Sequence, residues 1–378
     1  MTPPVLTAPG SGPRLTPGIV REQVLPDPRP AELPAGVCAF LGVAARGPLY
    51  APVALRRSEE FAGAFGADRS AGHLAAAVDG FFAAGGSTCY AVRVDPADGD
   101  WPAKGIAALG PLEDADLVAV PDLGVAPAAR WGDVQRAVLE DCERSGSRFA
   151  VLDAFPGSTA ADVLAQRAAL SSRAGALYFP WIRLAGGETV PPSGHVAGMY
   201  AAVDAARGIG SAPANLELPG VLDLVPAPTP KEVDELSAAD VNPLRALPGG
   251  GIRVWGARSL AGAGDAAWSP VGVCRLFLSL TRWLRTTGEA FVFEPDDVQT
   301  WVRIRRELSE RLWRLWRQGT LAGATPEEAF YVKCDAQTNP LAGRDAGLVV
   351  TEIGLAPSVP AEFVVVRLVQ RDGRTTLA

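Results

Sequence analysis

Short apolar runs alternate with amphipathic segments over the stretch from Gly36 to about residue 185. The apolar runs are GVCAFLGVA, TCYAVRV, DADLVAVPDL, RFAVLDAF and ALYFPWIRL, and the amphipathic segments are RSEEFAGAFG, AGHLAAAVDGFFAAGG, WGDVQRAVLEDCERS and DVLAQRAALSS. The runs are typical of buried strands, and the segments are typical of surface helices. Because strands and helices take turns along the chain, the pattern predicts a sheet of parallel character with helices on its faces.

The pattern changes after about residue 210. The proline-rich stretch SAPANLELPGVLDLVPAPTP predicts a loop, GIRVWGARSL a strand and VGVCRLFLSLTRWLRTTG a helix. Three more extended segments, AFYVKCD, GLVVTEIGLAP and EFVVVRLVQ, precede a short polar tail. This half is therefore expected to have an α+β organisation, and a chain of 378 residues allows one to three domains.

The segment PDDVQTWVRIRRELSERLWRLWRQG predicts an amphipathic helix from Asp297 to Arg317. Its apolar residues recur every three or four positions: Val298, Trp301, Ile304, Leu308, Leu312 and Leu315. Asp296 and Asp297 at the start and Gly319 after the end stand at favourable capping positions. Arginines repeat along the same segment: Arg303, Arg305, Arg306, Arg311, Arg314 and Arg317. This basic stripe favours a docking surface for an acidic partner, with a solvated face as the alternative.

The first 35 residues contain nine of the 33 prolines. Such a segment has too little apolar content for a core of its own and is expected to be extended. Within it, the stretch from Ile19 to Val24 has the composition of a strand and could pair only with another element. The prolines that follow it predict a semi-stiff connection to the rest of the chain.

Composition and motif searches exclude several classes of function. A formal net charge of −7 argues against a nucleic-acid binder, and no apolar run approaches the length of about 18 to 20 residues that spans a bilayer. The five cysteines are scattered, so neither a disulfide framework nor a CxxC metal site is expected. The same cysteine usage favours synthesis in the cytoplasm. No Gly-Lys-[Ser/Thr] motif is present, and GAGDAA is followed by Trp268-Ser269-Pro270 instead of a helix. The sequence predicts no cofactor and no metal.

The stretch PPSGHVAGMYAAVD brings Ser193, His195 and Asp204 close together in sequence. These residue types could form a serine hydrolase triad, which is the alternative function. Residues at i and i+2 point apart in extended structure, however, and no G-x-S-x-G surrounds the serine. The favoured interpretation is a proline-initiated turn in which Ser193 caps a helix, with His195 in a structural role.

Taken in order, the segments of this chain resemble the contractile tail sheath proteins of phage tails, tailocins and extracellular contractile injection systems. The resemblance runs from about Gly36 to Gln370. It rests on VCAFLGVAARGPLYAPVALRRSEEFAGAFG, GFFAAGGSTCYAVRV, ALYFPWI, VPPSGHVAGMYAAVDAARGIGSAPAN, GIRVWGAR, FVFEPDDVQTW, LWRQGTLAGATPEEAFYVKCD and GLAPSVPAEFVVVRLVQ. The N-terminal PGIVREQV also resembles the extended arm of that family.

The resemblance implies a fold and a division of the chain. The expected fold is an α/β core of tail-sheath, subtilisin-like topology without a triad, joined to an α+β C-terminal sheath domain, with extended arms at both ends. The corresponding ranges are 1–35 for the N-terminal arm and linker, 36–210 for the core, 211–362 for the C-terminal domain and 363–378 for the C-terminal strand and arm. This topology carries no activity by itself.

The implied function is structural. Subunits would polymerise as stacked hexameric rings around an inner tube, and the sheath would contract to drive the tube through a target envelope. The expected partners are other copies of the chain, the inner tube protein, and baseplate and cap or terminator proteins, with sheath paralogues left open. No nucleic acid, no membrane insertion and no catalytic residue is implied. Assembly would be cytoplasmic, within a phage tail or a tail-like particle that is released or retained.

Two sets of residues are expected to form contacts between proteins. The arm strands would complete sheets of neighbouring subunits by β-augmentation. They comprise Ile19, Val20, Arg21, Glu22 and Val24 at one end and Phe363, Val364, Val365, Val366 and Leu368 at the other. The resemblance also implies an attachment helix on the inner tube. The candidate contacts of that helix are Arg303, Arg306, Glu310, Arg314 and Arg317.

Overall fold

An eight-stranded sheet forms the centre of the α/β part of the chain. The computed structural model describes residues 35–289, 297–317, 319–341, 348–356, 364–371 and 374–377. These described residues pack as one unit. The strands of the large sheet are β1 (Cys38–Gly42), β2 (Pro52–Leu55), β3 (Cys89–Arg93), β4 (Leu117–Ala119), β5 (Phe149–Asp153), β6 (Gly175–Phe179), β10 (Asn242–Leu247) and β11 (Gly251–Val254), in the order β11-β10-β6-β5-β4-β1-β3-β2.

The expected parallel character of the sheet is confirmed. The strands from β10 to β3 all run parallel, and only the two edge strands, β2 and β11, pair antiparallel. Two strands come from beyond residue 210, since Asn242 and Pro243 of β10 pair with Tyr178 and Phe179 of β6. The sheet therefore extends past the predicted end of the core domain, and the domain ranges stay predictions.

Helices cover both faces of this sheet. They are α1 (Glu60–Phe65), α2 (Leu74–Ala83), α3 (Trp101–Ala107), α4 (Trp131–Ser145), α5 (Ala160–Ala168), α6 (Ser193–Arg207) and α7 (Pro230–Ala238). Alternate residues of β1 point to opposite faces, as strand geometry requires. Cys38 and Phe40 pack with α1, α2 and α6, whereas Ala39 and Leu41 pack with α3, α4, α5 and α7.

A small second sheet corrects two sequence predictions. ALYFPWIRL, expected as one strand, forms β6 and then β7 (Trp181–Leu184), with Pro180 between them. Proline has no N–H to continue a ladder, and β7 pairs instead with β8 (Thr189–Val190) and β9 (Val221–Val225). The strand β9 lies within the stretch that was predicted to be a loop. Its pairing partner is some forty residues away in the chain, so local composition did not reveal it.

The C-terminal part combines helices with a four-stranded antiparallel sheet. The helices are α8 (Val271–Glu289), α9 (Val298–Arg317) and α10 (Pro326–Ala329), and the strands are β12 (Phe330–Lys333), β13 (Leu348–Leu355), β14 (Val364–Arg371) and β15 (Arg374–Leu377). Apolar residues of α8, α9, β12 and β13 share one core. The α+β organisation is confirmed. The short tail that was expected after the last strand instead forms a further strand, β15, which pairs with β14.

The amphipathic helix α9 follows its sequence prediction closely. Asp297 caps it, because the Thr300 N–H donates to Asp297 Oδ1 at 2.9 Å. Trp301, Ile304, Leu308 and Leu312 are its buried apolar positions. At the other end, Gly319 has a φ of 76° and its N–H donates to the Trp316 carbonyl at 2.8 Å. The proposed contribution of Asp296 lies outside the described residues.

Candidate functional site

The three residues of the hydrolase alternative do not form a triad. Ser193, His195 and Asp204 all lie on the single helix α6. At 100° per residue, the side chains of Ser193 and His195 leave the helix about 200° apart. Asp204 stands nine residues after His195, about 13 Å further along the axis. Neither contact that a triad needs is present, and the serine hydrolase alternative has no support.

The predicted cap at Ser193 is also wrong. The helix begins at Ser193 itself, and the preceding N-cap residue, Pro192, makes no side-chain cap hydrogen bond. Ser193 is fully buried, and its own N–H donates to Asp153 Oδ1 at 2.9 Å. A carboxylate at the end of β5 thus has the capping role that was predicted for the serine hydroxyl. Burial raises the pKa of this Asp153 carboxyl to about 7, against the smaller lowering effect of the Ser193 hydrogen bond.

His195 has the structural role that was expected for it. It is buried and packs against α2, where a Cβ at Gly80 would lie 2.3 Å from its Nδ1 atom. Burial lowers the pKa of the imidazole to about 4, so the ring is neutral near pH 7. A neutral ring enclosed between two helices supports packing and has no nucleophile to activate.

Asp204 belongs to a buried ion cluster that sequence reasoning did not find. The Arg275 guanidinium of α8 donates to both carboxylate oxygens of Asp204, at 2.8 and 2.5 Å, and to Asp116 Oδ2 at 2.9 Å. The three side chains are 1%, 1% and 5% exposed for Arg275, Asp204 and Asp116. We call these three residues the Arg275 cluster. The two carboxylates raise the pKa of Arg275 despite its burial, so its positive charge persists.

Aromatic and backbone groups complete the surroundings of this cluster. The Arg275 guanidinium lies 4.6 Å from the centre of the Tyr200 ring, and the Tyr200 hydroxyl is 2.6 Å from that of Tyr178. Asp116 also accepts the backbone N–H groups of Gly36 and Val37, at 3.1 and 2.7 Å. The only sequence signal for the cluster was an arginine inside the otherwise apolar run VGVCRLFLSL.

The helix α9 presents a mixed basic and apolar surface. Of the predicted tube contacts, Arg306, Glu310 and Arg317 are exposed, whereas Arg303 and Arg314 are half-buried. Arg314 and Glu310 form an ion pair at 2.9 Å, one turn apart on the helix. The same exposed face carries three apolar side chains that were not among the predicted tube contacts: Val298, Val302 and Trp313. Val298 was predicted as part of the apolar repeat of this helix, but it is exposed. Arg317 lies over the Trp313 ring at 5.1 Å from its centre.

The predicted arm strands differ in where the structure places them. Ile19, Val20, Arg21, Glu22, Val24 and Phe363 lie outside the described residues. Val364, Val365, Val366 and Leu368 lie in β14, which pairs antiparallel with β13 of the same chain over eight residues. Val366, for example, stands opposite Ile353. The role of these residues between subunits stays a prediction.

A cavity of about 550 Å³ opens near the carboxyl ends of the parallel strands. His73 and Trp181 line it, with their rings edge to face at 5.3 Å. The buried Asp122 accepts the backbone N–H groups of Val43, His73 and Leu74, and so closes the first turn of α2. Burial raises the pKa of this carboxyl, and these hydrogen bonds oppose the shift. Asp122 therefore has a structural role in this cavity.

The histidine, cysteine and acidic side chains of the described residues form no metal site. Within those ranges, no group of three histidine, cysteine or acidic side chains could hold a metal ion. All five cysteines are buried and free. None of the described helices is both long enough and apolar enough to cross a membrane.

Comparison with known proteins identifies the family. The family model of the phage tail sheath protein central domain matches residues 106–260. The sheath complex of PVC, an extracellular contractile injection system, in its contracted state has a similar structure with a TM-score of 0.76 and 27% identity, over 94% of this chain and 97% of that one. The chain is a contractile tail sheath protein.

Two further solved structures place this sheath protein among its relatives. A chain of the anti-feeding prophage baseplate has a TM-score of 0.74 and 27% identity, over 92% of the sheath protein and 97% of that chain. The sheath tail protein of Desulfitobacterium hafniense shares the fold with a TM-score of 0.66 at 10% identity, over 93% and 100% of the two chains. A search of curated protein sequences gives no significant match.

These comparisons bear directly on the sequence interpretation. The sheath protein has the expected α/β sheath fold, and its work is that of a structural subunit. The family and the structural neighbours are structural sheath proteins.

Proposed function

We propose that this sheath protein polymerises as stacked hexameric rings around an inner tube, and that shortening of the lattice drives the tube through a target envelope. The observation that carries the proposal is the match to the contracted PVC sheath over nearly the full length of both chains. The similarity to a baseplate chain of the anti-feeding prophage supports a further contact with a baseplate. Both relatives favour a tail-like injection particle over a phage tail. Its assembly in the cytoplasm stays a prediction.

The finer description of the fold belongs to the same proposal. We retain a subtilisin-like topology for the α/β part, supported by its mostly parallel sheet with helices on both faces. The division into a core, a C-terminal domain and two arms is retained with it. The large sheet extends beyond the predicted boundary near residue 210. Strands β10 and β11 of the C-terminal range would therefore belong to the sheet of the core domain.

We assign contact with the inner tube to the exposed face of α9. Arg306 and Arg317 supply positive charge on this face, and Trp313 supplies an apolar surface between turns. Exposed ion pairs contribute roughly 1 kcal/mol or less each, because water and salt screen them. Contacts of this strength bind firmly only when they repeat along a tube. They can also release one after another when the sheath changes shape.

We assign contact between subunits to the arm strands and the edges of the C-terminal sheet. In the described residues β12 and β15 are the edge strands of this sheet. An edge strand offers unpaired N–H and C=O groups to which an arm of another copy can add. The arm from Ile19 to Val24 has the composition for such an added strand. Its pairing would connect neighbouring subunits while each core stays folded.

Assembly of the purified protein tests this proposal. The full-length chain and a variant lacking residues 1–25 are each produced together with the inner tube protein of the same particle, and the particles are imaged by negative-stain microscopy. We expect long helical sheaths on tubes from the full-length chain and only folded monomers from the truncation. Normal sheaths from the truncation would contradict the arm assignment. Absence of sheaths from the full-length chain with its tube would contradict the function itself.

A further inference from the structure

The chain enters the α/β core at a fixed point. Gly36 and Val37 immediately precede β1, and both of their N–H groups donate to the Asp116 carboxylate. Gly36 has a φ of 77°, and a Cβ there would lie 2.5 Å from the Cα atom of Ala201 on α6. Only glycine fits this close approach. We call Gly36 and Val37 the arm root, because the N-terminal segment joins the core there.

The helix α8 contacts the same carboxylate, Asp116, through Arg275. Its Arg275 bonds Asp116 and Asp204 in the Arg275 cluster. Two turns later on the same face of α8, the buried Arg282 donates to the carbonyl of Asp114 at 3.0 Å. Two arginines of one helix thus hold the segment that leads into β4. Asp116 connects the two sides, because its carboxylate accepts hydrogen bonds from the arm root and from Arg275.

Most other buried contacts of α8 are made with the C-terminal part. Val271 and Cys274 in its first turn pack with the core of the large sheet. Leu278 also packs against the cores of the large sheet, whereas five other apolar residues of α8 pack with α9 and the C-terminal sheet: Val273, Leu276, Phe277, Leu280 and Trp283. Ile304, Leu308 and Leu312 of α9 lie in this shared core. A displacement of α8 therefore carries α9 with it, because well-packed interfaces move as units.

We propose that the Arg275 cluster is a mechanical junction through which tension on the N-terminal segment reaches α8 and turns the tube-facing helix α9. Apolar contacts are non-directional and let surfaces slide, whereas a bidentate arginine–carboxylate pair fixes an orientation. The cluster joins the arm root, α6 and α8 at one guanidinium. During contraction, a pull on the arm root would thus be transmitted to α9 and release the tube. This inference rests on the function proposed above.

The test breaks the link between α8 and Asp116 and leaves the hydrogen bonds of the arm root in place. In a double variant, Arg275→Met with Asp204→Asn, the bond between α8 and Asp116 is lost while Asp116 keeps both N–H donors of the arm root. The matched control is Arg148→Met with Asp141→Asn. Arg148 is also buried and bonds Asp141 at 3.2 Å, but this pair links neither the arm root nor α8. Urea unfolding of the monomers compares their stabilities, so that particles are compared at matched fractions of folded protein.

Particles assembled from wild type, double variant and control are then triggered to contract and imaged. We expect the double variant to assemble, but to give a several-fold larger share of contracted sheaths that still hold their tube. The control is expected to expel its tube as the wild type does. Hydrogen exchange of the double-variant monomer is expected to show faster exchange in α8 with retained protection at Gly36 and Val37.

Two results would overturn the junction. Tube expulsion equal to wild type, in a double variant whose α8 exchanges faster, would show that no load passes through the cluster. Failure of the double variant to assemble, when the control assembles at equal stability, would assign the cluster to assembly instead of contraction. Failure of wild type to assemble on its tube concerns the proposed function and is distinguishable from both results.

Discussion

At the scale of single residues, the Arg275 cluster should dominate the response of the monomer to substitution. Arg275→Met leaves the carboxylates of Asp116 and Asp204 buried without their counter-charge. Removing one partner from a buried ion pair costs about 3 to 5 kcal/mol. We expect a loss of that size in the free energy of unfolding, measured with urea. Adding Asp204→Asn removes one uncompensated charge and should recover part of the loss. A double variant no more stable than the single one would contradict this account.

The buried carboxyl of Asp153 should make stability depend on pH. Burial raises its pKa from 3.8 to about 7. Between those values the folded chain binds more protons at this site than the unfolded chain, so its contribution to stability falls as the pH rises through that window. His195 acts in the opposite direction: burial lowers its pKa from 6.5 to about 4, and its contribution is lost as the pH falls between those values.

Asp153→Asn separates these two contributions. The amide oxygen can still accept the Ser193 N–H, while the titrating proton is gone. At one pKa unit per 1.4 kcal/mol, the variant should gain on the order of 1 to 4 kcal/mol over wild type by about pH 8 and little near pH 4. Below about pH 6.5 it should lose stability more steeply than wild type, because Asp153 no longer offsets His195. Urea unfolding near pH 4.5, 6 and 8 measures both effects. A constant difference across the three conditions would refute the assignment.

Residue roles were the hardest property to obtain from the sequence. Ser193, His195 and Asp204 attracted attention because they are close in the chain. The true partner of Asp204 is Arg275, 71 residues away, and that of Ser193 is Asp153, 40 residues away. Such pairs arise only when the sheet and α6 bring distant segments together. A pattern within fourteen residues therefore contains the residues but not their partners.

At the scale of elements, periodicity was a good guide wherever one face of an element is buried. The 3.6-residue repeat and the capping residues gave α9 to within a residue of its ends. Strands β1, β3, β4, β5 and β6 were also found, since each is apolar along its length and buried in the sheet. Among the missed strands, β9, β10 and β15 pair with elements that local composition does not specify. Pro180 could have signalled the break between β6 and β7.

The exposed face of α9 should control attachment to the tube. In Arg306→Glu with Arg317→Glu, two exposed positive charges become negative and would repel an acidic tube surface. We expect the amount of tube that sediments with the sheath to fall several-fold, with a larger loss at low salt, where charges are least screened. Sheath length should be unchanged.

The matched control for that reversal is Arg136→Glu with Arg144→Glu on α4. These arginines are 48% and 71% exposed, and their helix packs on the α/β core, away from the C-terminal part. The control is expected to retain its tube. Equal tube loss in both variants would mean that total charge matters and that α9 has no special contact.

At the scale of the whole molecule, the two chain ends should behave differently in the isolated subunit. The proline-rich composition of residues 1–25 supplies too little apolar surface for a core, so we expect their removal to leave the melting temperature of the monomer unchanged. Residues 363–378 include β14, which pairs with β13 over eight residues, and β15, which pairs with β14. Their removal would expose β13 and one side of the C-terminal sheet. We expect a lower melting temperature and faster hydrogen exchange in β13 for that truncation alone.

Comparing the two truncations distinguishes a strand of the subunit from an exchanged arm. If residues 363–378 act only between subunits, their loss should spare the monomer and abolish sheaths, as the loss of residues 1–25 is expected to do. If β14 belongs to its own sheet, both the monomer and the sheath are affected. The eight-residue register favours the second outcome, because a ladder of that length stabilises the sheet before any neighbour arrives. An unchanged melting temperature after removal of residues 363–378 would restore the arm prediction for this end of the chain.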